Sequence, residues 1–190
     1  MARLVHDTDH ILDTAARLLR DTGPAGVTVS AVVRAAGVSS GSVYHRFPDR
    51  AALLGALWTR TLARYHGAAY PLFDGDPVEA ATALAEYTVR WCADNPLDAH
   101  VLLTGAARFG ADAWPEAVRA EREAENERWN AAIRDLIRRL CDRTGRSRTA
   151  VLLAAVDLPT AAVRRYLVSG TPIPDDLPAV TAQTVRGALS

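Results

Sequence analysis

The sequence predicts an all-α protein in which a short N-terminal helix-turn-helix is followed by a larger helical domain. Apolar residues recur at helical spacing along most of the 190-residue chain. The periodic segments begin at capping residues or prolines, and they end at glycines or before prolines. No segment has the alternation that predicts a β-strand, and no internal repeat is present. These observations together favour a single chain of packed helices.

The most informative segment is residues 28–54, TVSAVVRAAGVSSGSVYHRFPDRAALL. Thr28 is a good N-cap, because its hydroxyl can accept a hydrogen bond from an amide in the first turn. The helix that follows has one apolar stripe, formed by Val29, Val32, Val33 and Ala36. Gly37 stands where this helix must end, and glycine adopts the left-handed conformation of that position without a steric penalty. A tight turn is therefore predicted at Gly37.

A second short helix is predicted from Ser40 to about Phe47, with Ser39 as its cap. Val43 and Phe47 are four residues apart and are expected to face inward, while the other faces are polar. Pro48 prevents continuation, because it lacks an N–H and restricts the residue before it. Two short helices around a tight turn are typical of a helix-turn-helix.

In a helix-turn-helix the second helix enters the major groove of DNA and the first lies across the backbone. Ser40, Gly41 and Ser42 are small and would allow a close approach. The other predicted DNA contacts are hydrogen-bonding or cationic side chains: Thr28, Arg34, Ser39, Tyr44, His45, Arg46 and Arg50. Arg50 lies in the first turn of a helix, where the macrodipole disfavours a cation, so we expect a phosphate beside it. The alternative is a helical hairpin whose polar face is only solvated.

The stretch Thr28–Leu54, with GVSSGSVYHRFPDRAALL at its centre, resembles the DNA-binding motif of TetR-type (tetracycline-repressor-like) bacterial transcriptional regulators. The resemblance runs from helix one, at about Asp7–Thr22, into helix four. It implies an all-helical homodimer with an N-terminal three-helix DNA-binding unit, here residues 1–48. It also implies a helical effector-binding and dimerisation domain, here residues 49–190. Two lysines common in the family are replaced, by Ser40 before the recognition-helix glycine and by Arg50 after the proline.

The remaining helices are predicted from capping residues, prolines and glycines. They run from about Arg50 to Tyr70 with Asp49 as cap, from Asp76-Pro77 through Cys92, from Asn95-Pro96 to about Phe109, from Pro115 to about Thr144, from Ala150 to Val168 after the cap Ser147, and from Pro178 to the C-terminus. The fifth of these is expected to bend at Pro159. Residues 170–177 are predicted to be a loop.

The family resemblance would gather a set of mostly aromatic and aliphatic side chains around an effector cavity. They are Trp58, Leu62, Tyr65, Trp91, Leu102, Leu103, Phe109 and Trp129, with His66, His100 and Arg108 as possible polar contacts. An apolar wall with few polar groups is what a small-molecule site needs. The same spacing is equally what a core needs, so plain packing is the alternative for each residue.

A dimer interface is predicted on the last two helices, because residues 150–168 have apolar side chains on more than one face. The predicted interface residues are Val151, Leu152, Val156, Val163, Leu167, Val180 and Thr184. Two such helices from each subunit would form a symmetric four-helix interface, and helix-turn-helix proteins generally read palindromes as dimers. The alternative is that both helices pack inside one chain.

Composition favours a cytoplasmic protein that binds double-stranded DNA. The N-terminus lacks the apolar segment of a secretory signal, and the longest apolar run, 150–156, is too short to cross a bilayer. The net charge is zero, but its distribution is uneven. Residues 28–64 contain five arginines and one acid, whereas residues 74–135 contain thirteen acids and six arginines. A basic end and an acidic end suit a protein that binds DNA with one end.

We expect no enzyme, no cofactor and no metal site. His6 and His10 have the spacing of a helix-borne metal pair, but a third ligand is not evident. Cys92 and Cys141 form no C-x-x-C pair and are interpreted as core residues. The leading hypothesis is a ligand-responsive dimeric DNA-binding regulator, most simply a repressor released from a palindromic operator. The alternatives are a protein that sequesters a small molecule and has lost specific DNA binding, and a cofactor-independent enzyme housed in the C-terminal cavity.

Overall fold

The computed structural model describes the backbone of residues 2–190 and the side chains from Thr8 onward. Every regular element in this part of the chain is helical, which confirms the predicted all-α fold. The α-helices are α1 (Ala2–Gly26), α2 (Val29–Ala36), α3 (Ser40–Arg46), α4 (Arg50–Ala69), α5 (Pro77–Asp94), α6 (Pro96–Thr104), α7 (Glu116–Thr144), α8 (Arg148–Leu152), α9 (Leu158–Ser169) and α10 (Leu177–Leu189). Within α1, Gly23 has φ 71° and marks a kink after Thr22.

The predicted caps of the helix-turn-helix are confirmed. Thr28, Ser39 and Asp49 each accept a hydrogen bond from the backbone N–H three residues further on, over 3.1, 3.3 and 2.8 Å. Gly37 has φ 66° and ψ 24°, the left-handed conformation that ends α2. Because these signals are local, each could be predicted from a few neighbouring residues.

Two predicted helices end earlier than expected. The helix opened by Pro96 was predicted to reach Phe109, but α6 stops at Thr104. Gly105 follows with φ 81°, which is not a helical conformation, and a short 3₁₀ turn, Ala106–Phe109, comes after it. In the same way α4 ends at Ala69, and Tyr70–Phe73 form a 3₁₀ turn.

The helix predicted over residues 150–168 is divided by a π turn. It begins at Arg148, changes to the π turn Leu153–Asp157, and continues as α9. Pro159 explains the position of this turn, because its ring would clash with the carbonyl group four residues earlier and it has no N–H to donate. A wider π turn relieves the conflict, so the bend lies before Pro159 rather than at it.

The chain divides into two compact units. The first unit is residues 1–63 with 100–124, and the second is residues 64–99 with 125–190. The helices α4, α6 and α7 each have residues in both units. The predicted functional boundary between residues 48 and 49 stays a prediction. The boundary between the two compact units lies elsewhere, within α4 after Ala63.

Buried apolar side chains of the first unit come from α1 to α4, from Val27 between α1 and α2, and from the segment 100–124. The most buried are Ile11, Ala15, Leu19, Val27, Val32, Val43, Leu53, Leu54, Leu57, Val101 and Phe109. Arg60 on α4 adds a polar contact with α1, because its guanidinium lies 3.3 and 2.8 Å from Asp9 and Asp13. Val32 and Val43 are the fully buried residues of α2 and α3.

The second unit has its own core, built around α5. Its buried members are Ala69, Phe73, Ala80, Ala81, Leu84, Ala85, Leu136, Ile137, Leu140, Val151, Ala154, Val185 and Leu189. The C-terminal helix α10 packs mainly against α5 and less extensively against the π turn and α9. Val185 and Leu189 of α10 belong to this core, and Thr181 is also buried.

Two glycines of α4 allow a matched test of packing. A Cβ on the buried Gly55 would lie 2.8 Å from Val118 Cγ1 and 3.3 Å from Trp114 Cγ, whereas one on the exposed Gly67 would meet nothing within 4 Å. We expect Gly67→Ala to raise the free energy of unfolding by about 0.5–1 kcal/mol, from helix propensity alone. Gly55→Ala should instead lower it by about 1–3 kcal/mol through overpacking. Urea denaturation of both variants measures the difference, and equal effects would contradict this packing.

Candidate nucleic-acid interface and cavity

The outer face of α3 is polar, small and exposed. Ser40 and Gly41 are exposed, and a Cβ added at Gly41 would meet nothing within 4 Å. Tyr44 is 46 % exposed, and His45 beside it is also exposed. Val43 is fully buried, so it anchors the helix while its neighbours face outward. This arrangement leaves an open surface with hydrogen-bonding side chains and little steric bulk.

Two arginines of α2 and α3 were predicted to contact DNA. Arg46 is half-buried, and its Nη1 donates to the Ser42 hydroxyl over 2.8 Å, one helical turn earlier on α3. This bond occupies one lone pair of Ser42 Oγ. Arg34 is exposed near the end of α2, where a cation also interacts favourably with the helix macrodipole. Contact of either arginine with a phosphate stays a prediction.

Arg50 has a structural role that the sequence did not reveal. Its Nε donates to the carbonyl oxygen of Val27 over 2.9 Å, and its Nη2 donates to that of Pro24 over 2.7 Å. The two carbonyl groups lie in the chain that leaves α1 for α2. They place partial negative charge beside a cation that the start of α4 would otherwise disfavour. These carbonyl groups give the cation favourable partners within the protein, and contact of Arg50 with a phosphate of DNA stays a prediction.

The comparison with family models gives one match over this segment. Residues 11–57 match the family described as bacterial regulatory proteins, tetR family. This segment is therefore similar to the part of tetR-family regulatory proteins that the family model describes. The match covers α2 and α3, most of α1 and the first part of α4, which are the elements that carry the exposed polar surface. No curated protein matches the chain at a significant level.

Solved structures of the TetR family share the fold over nearly the whole chain. PfmR, a TetR-family transcriptional regulator from Thermus thermophilus, is 20% identical with a TM-score of 0.72, and the match covers 94% of this chain and 96% of that chain. The fatty acid degradation regulator FadR from Bacillus halodurans is 15% identical, with a TM-score of 0.71 and coverage of 97% and 95%. The transcriptional regulator FadR from Bacillus subtilis, solved in complex with stearoyl-CoA, is 13% identical, with a TM-score of 0.68 and coverage of 95% and 97%. At these identities the likeness establishes the fold.

The second unit contains a cavity of about 310 Å³. Its walls are the side chains of Tyr65, Leu84, Thr88, Trp129, Asn130, Ile133, Leu136, Ile137, Ala155, Val156, Pro159 and Thr160. They come from the end of α4, from α5 and α7, from the π turn and from the start of α9. Asn130 and Thr160 are exposed, so they mark the mouth. A cavity of this size with mostly apolar walls can hold a small molecule.

The side chains predicted for an effector pocket do not all surround this cavity. Tyr65 and Trp129 line it, and their ring centroids are 5.7 Å apart. Trp91 packs edge-on against Tyr65 at 5.0 Å but is not a wall residue. Trp58 and Phe109 contact each other at 5.9 Å in the first unit. Leu62, Leu102, Leu103, His100 and Arg108 also lie in the first unit and line no part of this cavity.

Of the four polar wall residues of the cavity, Tyr65 was predicted and the other three were not. Thr88 lies on α5, and its hydrogen bond with Tyr65 could not be predicted from sequence. Asn130 lies in the highly charged part of α7 and gave no signal of its own. Thr160 follows Pro159, whose π turn could not be placed from sequence. These residues meet only through tertiary packing, so no local pattern identifies them.

A polar network beside Trp129 joins the buried His66 to the half-buried Tyr70 and Glu125. The His66 ring stacks on Trp129 with centroids 4.0 Å apart and planes at 5°. His66 Nδ1 and Tyr70 Oη each lie 2.7 Å from Glu125 Oε1. Burial lowers the pKa of His66 in spite of the carboxylate. Burial acts to raise the pKa of Glu125, but the hydrogen bonds from Tyr70 and His66 outweigh it and the pKa is lowered. Glu125 is therefore ionised and accepts both bonds at neutral pH.

The predicted dimer-interface residues differ in accessibility. Val151 and Val163 are buried within one chain, so their prediction as interface contacts was wrong and they act as core. Leu152, Val156 and Leu167 are half-buried, and Val156 lines the cavity. Val180 and Thr184 are exposed on one side of α10. Large apolar side chains that were not predicted are also exposed, Leu153 on the π turn and Val168 on α9.

The remaining candidates for chemistry have structural explanations. The side chain of His6 lies outside the described residues, and His10 Nε2 lies 3.1 Å from the carbonyl oxygen of Ala36, at the end of α2. Cys92 is buried, which raises the pKa of its thiol to about 12, and both Cys92 and Cys141 are free thiols. From Thr8 onward, no three His, Cys, Asp or Glu side chains are grouped to hold a metal ion, and no helix has the length and apolar character needed to cross a membrane.

The two carbonyl contacts of Arg50 predict a loss of stability when the guanidinium is removed. Arg50→Ala should lower the free energy of unfolding by about 1–3 kcal/mol, because two carbonyl groups lose a charged donor. Arg34→Ala, which removes an exposed cation from α2, is the matched control and should change stability by less than about 0.5 kcal/mol. Thermal and urea unfolding measure both. An Arg50→Ala variant as stable as the control would mean that these bonds contribute nothing.

The lowered pKa of His66 predicts a pH-dependent stability. Since the folded pKa lies below the unfolded value of 6.5, the unfolded chain takes up a proton first. Stability should therefore be complete above pH 6.5 and fall as the pH drops below it. His66→Gln should make the free energy of unfolding less dependent on pH in this range, whereas the exposed control His45→Gln should not. Unfolding midpoints measured in a pH series give the comparison, and unchanged slopes in His66→Gln would refute the assignment.

Proposed function

We propose that this protein is a sequence-specific DNA-binding transcriptional regulator that acts as a homodimer and responds to a small molecule. The observation that carries the proposal is the exposed, polar helix α3, held by capped turns within the segment that matches the TetR family. Its most direct form is a repressor that leaves a palindromic operator when its effector binds. In this proposal the operator would be bound by α3, and the effector would occupy the cavity of the second unit.

The DNA contacts follow from the exposure of α3. With α3 in the major groove, Ser40, Gly41 and Ser42 would lie nearest the base edges, because they are at the N-terminal end of the helix. Tyr44 and His45 would hydrogen-bond to phosphates, as would Thr28 and Ser39 at the starts of α2 and α3. Phosphate contacts fix the register, whereas contacts to base edges specify the sequence. Arg34 and Arg46 would add charge that makes binding salt-dependent.

The cavity of the second unit is the proposed effector site. Tyr65 belongs to α4 and is a wall residue, so a ligand can act on α4 directly. In the first unit the same helix buries Leu53, Leu54 and Leu57 beside the DNA-binding helices. We propose that ligand binding shifts α4 and changes the separation of the two recognition helices of a dimer. The helices α6 and α7 also have residues in both units and would take part.

The fatty acid regulators among the structural neighbours offer one class of effector. FadR from Bacillus subtilis was solved with stearoyl-CoA, and the Bacillus halodurans protein regulates fatty acid degradation. Acyl-CoA compounds therefore belong in an effector screen, together with the smaller uncharged molecules that the walls of this cavity favour. Binding of an acyl-CoA that releases this protein from its operator would support a role in acyl metabolism.

Dimerisation is proposed through α9 and α10. Val168 and Val180 are exposed on these helices, at 66 % and 48 %, and Leu153 is exposed on the π turn before them at 63 %. A symmetric interface between two copies would remove these apolar side chains from water. The half-buried Leu152 and Leu167 and the exposed Thr184 would lie at its edge.

A second candidate function is sequestration of a small molecule without specific DNA binding. The one feature that favours it is Ser40, which replaces a lysine common in the family. The exposed Tyr44 and Arg34 and the intact caps of α2 and α3 favour DNA binding instead. The experiment below distinguishes the two functions.

The first test is selection of bound duplexes from a random DNA pool by the purified protein. We expect enrichment of a palindrome whose half-sites lie about one helical turn apart. Gly41→Ala is the sharpest variant, since a Cβ there meets nothing in the protein and only a bound duplex would clash with it. It should keep or raise the stability and weaken binding to the selected duplex or change the preferred sequence.

Two controls belong to this test. Gly67→Ala makes the same chemical change on the second unit and should leave DNA binding unchanged. Arg34→Ala should weaken binding to all duplexes and reduce the salt dependence by about one unit of slope. Failure of the wild-type protein to bind any duplex would favour the sequestering function, and unchanged binding by Gly41→Ala would contradict the docking of α3.

A further inference from the structure

The cavity of the second unit has no charged side chain in its wall. All twelve wall residues are uncharged, and eight of them are aliphatic or proline side chains or aromatic rings without a hydroxyl group. The polar members are Tyr65, Thr88, Asn130 and Thr160. An ion that left water for such a cavity would lose hydration without gaining a counter-charge. The wall therefore disfavours both anions and cations.

The hydroxyl groups of Tyr65 and Thr88 donate their protons to acceptors within the protein. Thr88 Oγ1 donates to the carbonyl oxygen of Leu84 over 2.8 Å. Tyr65 Oη lies 2.8 Å from Thr88 Oγ1 and must be the donor, because the proton of Thr88 is already used. Burial raises the pKa of Tyr65 to about 12, so the phenol keeps its proton. Tyr65 and Thr88 thus offer the cavity only acceptor lone pairs.

The mouth has a similar polarity. Thr160 Oγ1 donates to the carbonyl oxygen of Val156 over 2.9 Å, so it also offers an acceptor. Two wall groups can donate a hydrogen bond to a ligand, the amide of Asn130 at the mouth and the indole N–H of Trp129. The three hydroxyl oxygens and the carbonyl oxygen of Asn130 are acceptors, and they outnumber the two donor side chains, Asn130 and Trp129. The hydroxyl groups therefore suit a ligand that brings its own O–H or N–H group. A carboxylate or phosphate would meet more oxygen atoms than N–H groups and no counter-charge.

We propose that this cavity binds a neutral, compact, largely apolar molecule that carries one or two hydrogen-bond donors. The inference rests on the proposed effector function for its biological meaning, but the binding itself does not depend on DNA. The rings of Tyr65 and Trp129 form one wall and suit a planar or aromatic ligand. The volume of about 310 Å³ is at the lower end for small-molecule sites, which favours a single ring system over a long chain with a charged head group.

The test uses three probes that share a naphthalene ring and carry a neutral, an anionic or a cationic substituent of similar size: naphthylmethanol, naphthoate and the naphthylmethylammonium ion. Calorimetric titration of the full-length protein at neutral pH, without DNA, measures each affinity. We expect the alcohol to bind at least about tenfold more tightly than either ion, because only the ions pay an uncompensated desolvation cost. Naphthoate that bound as tightly as the alcohol would overturn the proposal, and so would a protein that bound none of the three.

Variants of the wall locate the site. Ala155→Phe should fill the cavity and lower the affinity for the alcohol at least about tenfold. Ala93→Phe, at an exposed position of α5 outside the wall, should leave this affinity unchanged. If Ala155→Phe does not fold, Thr160→Trp at the exposed mouth serves the same purpose. Alcohol binding that survives an occluding variant would overturn the assignment to this cavity.

A change of selectivity is the most demanding check. Asn130→Arg places a cation at the mouth and should raise the affinity for naphthoate by about fivefold or more, while leaving the alcohol nearly unchanged. If the ratio of the affinities for naphthoate and the alcohol did not change in this variant, the absence of charge in the wall would not explain the preference for neutral ligands. If the protein binds the neutral alcohol but selects no DNA sequence, the regulatory function is refuted and this inference stands. If the protein selects a DNA sequence but does not bind the neutral alcohol, this inference is refuted and the regulatory function stands.

Discussion

The helices that present the proposed DNA surface are too short to be stable alone. The helix α2 has 8 residues and α3 has 7, whereas isolated helices shorter than about 12 residues are marginal in water. Their outer faces must remain polar, so they cannot gain stability by burying more surface. What holds them is a set of local caps and two inward side chains, Val32 and Val43, which are fully buried. Other interactions of the first unit, among them those of Arg50, help to hold these short helices in place.

Arg50 is the support that connects separate parts of the first unit. Its two hydrogen bonds reach carbonyl groups 23 and 26 residues earlier in the chain. They tie the start of α4 to the segment that leads into α2, and they complement the bond from Asp49 to the first turn of α4. A cation beside a helix N-terminus is unfavourable by itself, but here it also meets carbonyl oxygens at 2.7 and 2.9 Å. The arginine therefore orients α4 relative to the DNA-binding helices within the first unit.

The sequence was informative where the determining interactions are local. The caps at Thr28, Ser39 and Asp49 and the left-handed turn at Gly37 depend on residues within three or four positions, and all were predictable. The π turn before Pro159 was predicted only as a bend, because a proline signals a conflict but not how the helix resolves it. The contacts of Arg50 and the packing of α10 against α5 join residues far apart in the chain. No pattern in one sequence specifies them.

The polarity of the cavity depends on where the second unit places the carboxylate of Glu125. Glu125 is ionised and is held by His66 and Tyr70, and the guanidinium of Arg128 lies 3.9 Å from the Tyr70 ring. Trp129 stacks on His66 and also lines the cavity, so charge and cavity are neighbours without Glu125 entering the wall. Tyr65 and His66 are adjacent on α4, and Trp129 contacts both rings. A ligand that displaced Trp129 or Tyr65 would therefore change the contacts of α4 with the Glu125 network. An uncharged ligand could therefore act on α4 without contacting an ionic group. It would do so by changing the stacking of Trp129 on His66 and the hydrogen bonds of His66 and Tyr70 with Glu125.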